Sequence, residues 1–319
     1  MHISVLLAAR MARLAKSLCA VVLATLAACG ATTSTLKPTS PAYGPTGTST
    51  PASIVPSIAA TVKTSAPAAR APRAASDEIV TVSVNGVDRE ARVHVPALPA
   101  DSITAVVLAL HGSTSTAEHL QSTSGFDEIS DQNGFIVVYP QGLAIDGAQS
   151  WNSGQCCEPA TTYGVDDSAF IDALLHELIA TFPIDPTLVF VTGHSNGAIM
   201  AQALACQFAD RFAAVASVAG ALDSTTQCTP SRPVSMLEIH GTNDQNVLYG
   251  YGYNAVQSWS ALNACGWAHT YSPEPGTTIA TSGDCADGTA VELITIEGGE
   301  HDWPAEAAQQ IWDFFTAWA

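Results

Sequence analysis

The sequence predicts a single α/β domain in which a mostly parallel central sheet is flanked by helices. Three observations indicate this class. Short apolar runs alternate with helical stretches from residue 76 onwards, several of these runs end in glycine-containing loops, and residues 76–319 are enough for one sizeable core. No internal repeat divides this stretch, so we expect one domain with boundaries at 76 and 319.

The elements are expected in the following order. Asn85-Gly86 favours a tight two-residue turn, so Ile79–Val84 and Arg89–Val95 should pair as an opening hairpin. Asp167–Thr181 carries apolar residues at helical spacing, with aspartates suited to its free amino end. The other strands are expected at Thr104–Leu110, Phe135–Tyr139, Leu188–Val191, Val234–Ile239 and Ala290–Ile296, and further helices at Ala198–Leu204 and over about the last dozen residues.

One pentapeptide, Gly-His-Ser-Asn-Gly at 193–197, lies between a β-branched apolar run and an alanine-rich helical stretch. Glycines on both sides allow the chain to turn sharply, so that the serine hydroxyl is held clear of the sheet. The alternative is an ordinary surface turn, because short motifs recur by chance. The strand–turn–helix context favours Ser195 as a nucleophile.

A serine nucleophile needs a general base, and the base needs a carboxylate that orients it. Asp244 follows the strand predicted at 234–239, and His301 follows the one predicted at 290–296. Loops after parallel strands gather at one edge of the sheet, where ligands bind. The order serine, aspartate, histidine is typical of nucleophile-elbow enzymes. We therefore expect Ser195, Asp244 and His301 to act together.

Other titratable residues are weaker candidates. Asp302 adjoins His301 and is the alternative orienting acid. His240 is too close to Asp244 along the chain and is interpreted as a packing or hydrogen-bonding residue at a strand end. His194 is expected to point beneath the elbow. The sequence has no metal-ligand spacing of the H-E-x-x-H or paired C-x-x-C kind, so no metal is expected.

Acyl transfer also needs two N–H donors for the oxyanion that forms. One is expected to be the backbone N–H of Asn196, directly after the nucleophile. The other should come from the loop after an early strand, and His111-Gly112-Ser113 follows the run at 104–110. The N–H of Ser113 is the candidate, with Gly112 allowing a close backbone approach. The alternative is a plain strand-to-loop turn.

Several short motifs occur together in one order. They are Leu110-His111-Gly112-Ser113, Trp151-Asn152, Cys156-Cys157, Val165-Asp166-Asp167 with Phe170, Gly193–Met200, His240–Asp244 and Gly298–Pro304. In this combination, residues 78–319 resemble secreted esterases of the polyhydroxybutyrate depolymerase and feruloyl esterase type, which include bacterial lipoproteins. The resemblance implies an α/β-hydrolase fold and a Ser–Asp–His carboxylesterase without a cofactor. Ser113 stands where many relatives carry cysteine, and Glu300 where glycine is common.

The expected reaction is two-step acyl transfer to water through an acyl-enzyme intermediate. The expected substrates are small or oligomeric esters, such as feruloyl or acetyl groups on sugars or short hydroxyalkanoates. Trp151 and Trp303 are candidates to stack on a substrate ring, and packing within the fold is the alternative for both. Two other functions stay open: an acyltransferase with a sugar or lipid alcohol acceptor, and a surface ligand-binding protein without turnover.

The amino-terminal residues predict export. Residues 1–28 combine basic residues with an apolar stretch too short to span a membrane, which is typical of a signal peptide. The segment ends in Leu26-Ala27-Ala28-Cys29, which resembles a lipobox with Cys29 as the lipidated residue. The alternative is an ordinary cleavage site. Residues 29–75 are rich in Ala, Thr, Ser and Pro and are expected to form a disordered tether. The protein is then expected at the outer face of the bacterial cell membrane or envelope.

Six cysteines remain in the domain, an even number that suggests disulfides in an exported chain. Six cysteines allow 15 pairings. Cys265–Cys285 is the first expectation because it closes a short local segment. Cys156 and Cys157 could bond to each other or send each sulfur elsewhere.

Charge is unevenly distributed. All 29 acidic residues follow residue 76, where only four arginines and no lysine occur, so the domain has a formal charge near −25. Such a field repels nucleic acids and anionic lipid surfaces. We therefore expect no nucleic-acid partner and contact with a membrane only through a lipid anchor.

Overall fold

The computed structural model describes residues 71–154, 156–222 and 228–318. Predicted features at residues 1–70, including the signal peptide, Cys29 and most of the tether, lie outside these ranges. Ordered contacts begin before residue 76, because the backbone N–H and C=O of Arg73 each bond to Leu98 at 2.9 Å. Among the described residues, no helix has both the length and the apolar character that crossing a bilayer requires.

A ten-stranded sheet forms the centre of the domain, in the order β1-β2-β4-β3-β7-β8-β9-β12-β11-β10. The six strands from β4 to β12 in this order are parallel, and antiparallel strands extend both sides. The strands are β1 Ser76–Val84, β2 Val87–Val95, β3 Thr104–Leu110, β4 Ile136–Pro140, β7 Ile184–Gly193, β8 Ala214–Val218, β9 Ser235–Gly241, β10 Ala268–Glu274, β11 Thr277–Ser282 and β12 Val291–Ile296; β5 Ala144–Ile145 and β6 Ala148–Gln149 form a separate small hairpin.

Helices cover both faces of this sheet. Successive side chains of a strand point to opposite faces, and apolar side chains on both faces need to be buried. In β3, Val106 and Leu108 belong to one buried cluster, and Val107 belongs to the other. The helices are α1 Ala117–Ser124, α2 Phe126–Asn133, α3 Asp167–Thr181, α4 Asn196–Gln207, α5 Tyr249–Leu262 and α6 Ala307–Trp318. Buried residues of α3, α4 and α5 join the first cluster, and those of α1, α2 and α6 join the second. The predicted α/β class with a mostly parallel sheet is confirmed.

Most predicted elements lie within a few residues of their expected bounds. The hairpin turns at Asn85-Gly86, with Val84 paired to Val87. Helix α3 spans the predicted range, and the side chain of Asp166 accepts a hydrogen bond from the N–H of Ala169 at its amino end. Asp167 has another role: its Oδ1 lies 2.7 Å from Nη2 of Arg89, and both side chains are buried. This ion pair ties α3 to β2.

Strand β10 is a feature that the sequence did not predict. It lies at the end of the sheet, and all seven of its residues are exposed. Its pairing with β11 is interrupted by a register shift between Tyr271 and Glu274, next to Pro273. The hairpin of β10 and β11 extends the parallel sheet beyond β12 and follows Cys265, whose disulfide to Cys285 closes the segment. That disulfide was the expected one.

Candidate active site

The loop that carries Ser195 is a sharp strand-to-helix turn between β7 and α4. Ser195 has φ 54° and ψ −120°, a backbone conformation that non-glycine residues rarely adopt. The positions on either side of Ser195 must be glycine because other backbone atoms lie too close to leave room for a Cβ atom. A Cβ at Gly193 would lie 2.5 Å from the carbonyl oxygen of Gly197, and one at Gly197 would lie 2.2 Å from the carbonyl oxygen of Leu110. The turn therefore holds Ser195 at the carboxyl end of β7, close to β3.

The three residues predicted to act together form one hydrogen-bonded chain. Nε2 of His301 lies 2.8 Å from Oγ of Ser195, and its Nδ1 lies 2.7 Å from Oδ2 of Asp244. They follow β7, β9 and β12, whose carboxyl ends meet at one edge of the sheet. Asp302, the alternative orienting acid, is exposed, and the carboxylate on Nδ1 of His301 is that of Asp244.

Asp244 is held as an oriented carboxylate. Its Oδ1 accepts the backbone N–H groups of Asn246 at 2.8 Å and Val247 at 2.9 Å. Burial alone would raise the pKa of this carboxyl, but the hydrogen bonds from His301, Val247 and Asn246 outweigh it and lower the pKa. An ionised Asp244 can orient the ring of His301 and stabilise its protonated form.

The predicted oxyanion donors also lie together. Among the described residues, the backbone N–H groups of Ser113 and Asn196 have no hydrogen-bond acceptor. A Cβ on Gly112 would lie 3.5 Å from Cβ of Ser195, which shows how closely this loop approaches the nucleophile turn. The loop is fixed by His111, whose Nδ1 lies 2.8 Å from the carbonyl oxygen of Gly112. Burial lowers the pKa of His111 to about 4, so its ring is neutral at neutral pH.

His194 lies against the same ring system. Its ring centroid is 5.0 Å from that of His301 and 6.4 Å from that of Trp303. Burial, together with the neighbouring His301, lowers the pKa of His194 to about 4. Within the described part of the chain its Nε2 has no hydrogen-bond partner. The neutral ring packs behind His301, as expected for a residue beneath the elbow.

A family model named Esterase matches residues 83–308. The chain belongs to the Esterase family. Similar curated proteins include the bifunctional acetylxylan esterase/xylanase XynS20E of Neocallimastix patriciarum, 26% identical over 73% of this chain and 34% of that protein, and feruloyl esterase B of Piromyces equi, 28% identical over 67% of this chain and 42% of that protein. The chain thus spans about a third to two fifths of these relatives.

A solved esterase structure has the same fold as this chain. The acetyl xylan esterase from Aspergillus awamori superposes with a TM-score of 0.60 at 20% identity, covering 75% of this chain and 99% of that one. Poly(3-hydroxyalkanoate) depolymerase C of Paucimonas lemoignei is 37% identical over 40% of this chain and 30% of that protein. The expected resemblance and the α/β-hydrolase fold class are confirmed for this Esterase-family chain.

The expectation that Trp151 stacks on substrate is corrected by its burial. This side chain has no exposed surface, and its indole N–H donates to the carbonyl oxygen of His111 at 2.8 Å. Its backbone is clamped by the side chain of Asn196, which accepts from the N–H of Trp151 at 2.7 Å and donates to its carbonyl oxygen at 3.0 Å. Trp151 therefore braces the two loops that carry the free N–H groups.

Trp303 is half-buried and packs against Phe126, with ring centroids 5.9 Å apart. Its indole N–H donates to the carbonyl oxygen of Ser124 at 3.0 Å. These contacts fix the loop after His301 to helices α1 and α2, and part of the ring stays accessible. Its contact with substrate stays a prediction.

A cavity of about 870 Å³ lies beside the hydrogen-bonded chain, and most of its lining is apolar. It is bordered by Ile199, whose N–H bonds to the carbonyl oxygen of Ser195, and by Val247, which holds Asp244. Of the described residues, neither Ser195 nor His301 lines it, so the cavity is next to the reacting side chains and does not enclose them. Its other lining residues include Cys156, Leu222, Tyr251 and Leu262.

The six cysteines in the described part of the chain form three disulfides: Cys265–Cys285, Cys206–Cys228 and the adjacent pair Cys156–Cys157. The structure thus decides between the two alternatives left open for Cys156 and Cys157. Three disulfides fit a protein that folds in an oxidising compartment.

One group of possible metal ligands occurs among the described residues: Asp77, His94 and Asp127. Nδ1 of His94 lies 3.0 Å from Oδ1 of Asp77, and Gln121 donates to both carboxylates. His94 lies on β2, where it pairs with Val137 near the start of β4, and Asp127 also accepts from the hydroxyl of Tyr139 at 2.6 Å.

Sequence reasoning missed Glu238, a fully buried carboxylate two residues before His240 on β9. The available signal was the charged residue itself, beside the apolar residues Met236, Leu237 and Ile239 of the same strand, because carboxylates are rarely buried without a partner. Its partner is His240, with Nδ1 of the ring 2.8 Å from Oε1 of Glu238.

Proposed function

We propose that this protein is a serine carboxylesterase that hydrolyses small or oligomeric esters through an acyl-enzyme intermediate. The observation that carries the proposal is the hydrogen-bonded chain from Oγ of Ser195 through His301 to Asp244, with distances of 2.8 and 2.7 Å. Membership of the Esterase family supports hydrolysis of carboxylic esters as the reaction class. No step in the proposed reaction requires a cofactor.

In the first half-reaction, Oγ of Ser195 attacks the ester carbonyl carbon while Nε2 of His301 takes the hydroxyl proton. The resulting oxyanion accepts hydrogen bonds from the backbone N–H groups of Ser113 and Asn196. Asp244 stabilises the imidazolium of His301 throughout. The tetrahedral intermediate then collapses, the C–O bond to the alcohol breaks, and His301 returns the proton to the leaving oxygen.

In the second half-reaction, water takes the place of the alcohol. His301 removes a proton from the water as its oxygen attacks the acyl carbon, and the same N–H groups hold the second oxyanion. The bond to Oγ breaks, the serine oxygen regains its proton from His301, and the carboxylic acid leaves. The strongly negative domain favours release of the carboxylate product.

The apolar cavity beside Ser195 supports a substrate with a compact apolar or aromatic part. We propose feruloyl or acetyl groups on sugars, or short hydroxyalkanoates, as the ester classes. The relatives with the names feruloyl esterase and poly(3-hydroxyalkanoate) depolymerase support this range. The exposed part of Trp303 is the candidate for contact with a ring of the substrate.

We further propose that the protein acts outside the cell, as a lipoprotein that is held at the membrane through Cys29 and carries its domain on the tether. The three disulfides support an exported location. The sequence around Cys29 supports lipidation. Mass spectrometry of the membrane-extracted protein tests this: a diacylated amino-terminal cysteine is expected, and an unmodified terminus would contradict the anchor.

Replacing Asp244 by asparagine is expected to lower kcat by about 10³- to 10⁴-fold, because an amide can neither select the correct tautomer of His301 nor stabilise its cation. The matched control is Asp302→Asn, which makes the same chemical change one residue from His301. This control should retain close to the wild-type kcat. A larger loss in Asp302→Asn than in Asp244→Asn would assign the orienting role to Asp302.

A substrate panel tests the function as a whole. The lipid-free domain is incubated with p-nitrophenyl acetate and butyrate, methyl ferulate, acetylated xylan and a hydroxybutyrate oligomer. Hydrolysis of at least one ester is expected, and the preferred one identifies the acyl class. Adding a sugar or long-chain alcohol tests the acyltransferase alternative, since transfer would divert acyl groups from water to the alcohol. A folded domain that turns over no ester would contradict the proposal.

A further inference from the structure

Two ionisable side chains, Glu238 and His240, are completely buried on β9, close to Asp244. Nδ1 of His240 lies 2.8 Å from Oε1 of Glu238, and its Nε2 lies 2.8 Å from the carbonyl oxygen of Val247. Desolvation offsets most of what a buried ion pair contributes to folding, so stability alone is a weak reason for one. The Glu238–His240 pair lies beside Asp244, which suggests that it acts on that carboxylate.

The partners of His240 determine where its protons lie. The carbonyl of Val247 only accepts, so Nε2 must carry a proton, and the contact between Nδ1 and Glu238 holds one further proton. The oxygens of Glu238 also accept the N–H of Gly220 at 3.0 Å and Nε2 of Gln202 at 3.3 Å. Both oxygens of Glu238 are thus acceptors, and Nδ1 of His240 is the donor in its contact with Oε1. Burial lowers the pKa of His240, but the bond to Glu238 and its charge outweigh burial and raise it.

No lysine or arginine side chain contacts Glu238 among the described residues, and Arg73, which precedes β1, pairs with Glu78. The sequence after residue 76 has no lysine, and each of its four arginines contacts a different group. These contacts are Arg89 with Asp167, Arg92 with Gln121, Arg211 with Asp172, and Arg232 with the carbonyl oxygen of Phe212. His240 therefore supplies the compensating charge.

The pair reaches Asp244 by two routes. Nε2 of His240 lies 3.4 Å from Oδ2 of Asp244, the oxygen that accepts from Nδ1 of His301. In addition, the carbonyl of Val247 accepts from His240 while the N–H of Val247 donates to Oδ1 of Asp244. We infer that Glu238 and His240 are a positioning pair, which holds the carboxylate of Asp244 ionised and directed at His301. This inference rests on the proposed function of Ser195, Asp244 and His301.

Several other titratable side chains, and helix α5, lie near Glu238 and His240. Tyr249 on α5 presents its ring edge-on to His240 at 5.9 Å between centroids. His194 lies behind His301, and Glu300 and Asp302 line a small cavity that His240 also borders. Helix α5 approaches the pair so closely that a Cβ at Gly252 would lie 2.2 Å from Nδ1 of His240.

The test is the pH profile of kcat/KM in His240→Gln, because glutamine keeps an N–H donor for Val247 but removes the positive charge. Loss of a cation near Asp244 makes protonation of His301 easier, so the acidic limb should move to higher pH by about 0.5 to 1 unit. A fall in kcat of about ten-fold should accompany it. Glu238→Gln removes the carboxylate that stabilises the protonated ring of His240. It should therefore also move the acidic limb of the pH profile to higher pH.

Ser217→Ala is the matched control. It removes the hydroxyl that accepts from Gln202 at 2.9 Å, within the same buried network, without changing a charge. Its acidic limb should stay at the wild-type position even if thermal stability falls. An unmoved limb in both His240→Gln and Glu238→Gln, with kcat lowered at every pH, would overturn the inference and leave the pair a structural role.

A second readout does not depend on turnover. In the Ser195→Ala background, NMR titration of the His301 ring should show its pH midpoint at a higher value when His240→Gln is added. Equal midpoints would overturn the positioning role, whether or not the unmodified protein hydrolyses esters. Absence of hydrolysis by the unmodified protein would instead contradict the proposed function.

Discussion

Replacing Ser195 by alanine is expected to lower kcat for ester hydrolysis by about 10⁴- to 10⁶-fold. The hydroxyl is the only protein group in the proposed mechanism that becomes covalently bonded to the acyl carbon. Without it, the free N–H groups of Ser113 and Asn196 can still polarise a bound carbonyl, which accounts for the residual rate. Initial rates on the best ester of the panel, measured at saturating substrate, give the comparison.

The control for this substitution is Ser168→Ala. Ser168 lies on α3 and donates to Oε1 of Gln207 at 2.8 Å, outside the proposed reaction centre. It should leave kcat near its wild-type value. A fluorophosphonate that phosphonylates activated serines should label the unmodified protein on the peptide containing Ser195 and leave Ser195→Ala unlabelled. Undiminished hydrolysis in a pure, folded Ser195→Ala protein would refute the proposed nucleophile.

The second large effect is expected from Gly197→Ala, at the start of α4. The added methyl group would lie 2.2 Å from the carbonyl oxygen of Leu110 and 2.5 Å from that of His111. Both neighbours are backbone atoms of a strand end, so relief requires α4 to move away from β3. We expect a loss of about 3–5 kcal/mol in the free energy of unfolding, the upper range for one substitution. Urea unfolding with the disulfides intact measures it.

Gly250→Ala makes the same chemical change in a helix where nothing lies within 4 Å of the new Cβ. It should leave stability unchanged or raise it by up to about 1 kcal/mol, because alanine loses less backbone freedom than glycine. Gly197→Ala should also reduce ester hydrolysis, since Gly112 and Ser113 follow the strand that the methyl group displaces. A Gly197→Ala protein as stable as Gly250→Ala would show that the elbow has more room than these distances allow.

The main features of the candidate site could be predicted because each depends on a local pattern. A nucleophile turn needs small residues on both sides of its serine, and the partners of Ser195 follow strands that are recognisable as apolar runs. Parallel pairing then brings the ends of β7, β9 and β12 to one edge without any knowledge of side-chain contacts. The number of residues between Asp244 and His301 does not by itself show that their side chains meet. Their position after parallel strands indicates that they do.

Other features depend on packing between distant segments, which a single sequence does not reveal. Trp151 lies in a polar stretch typical of a surface loop, yet bonds to Asn196 and His111 draw it fully into the core. The pairing of Glu238 with His240 requires both side chains to lie on the same face of β9, with Val247 close by. The edge hairpin of β10 and β11 was missed because neither strand carries an apolar run: β10 is exposed throughout, and β11 is mostly half-buried.

The exposed strand β10 has a consequence for behaviour in concentrated solution. An unpaired strand at the end of a sheet offers its N–H and C=O groups to any passing chain, which is how fibrous aggregates grow. Here Pro273 has no N–H to offer, and the adjacent register shift breaks the even spacing that an incoming strand would need. This end of the sheet, which is exposed among the described residues, is thus a poor template for growth.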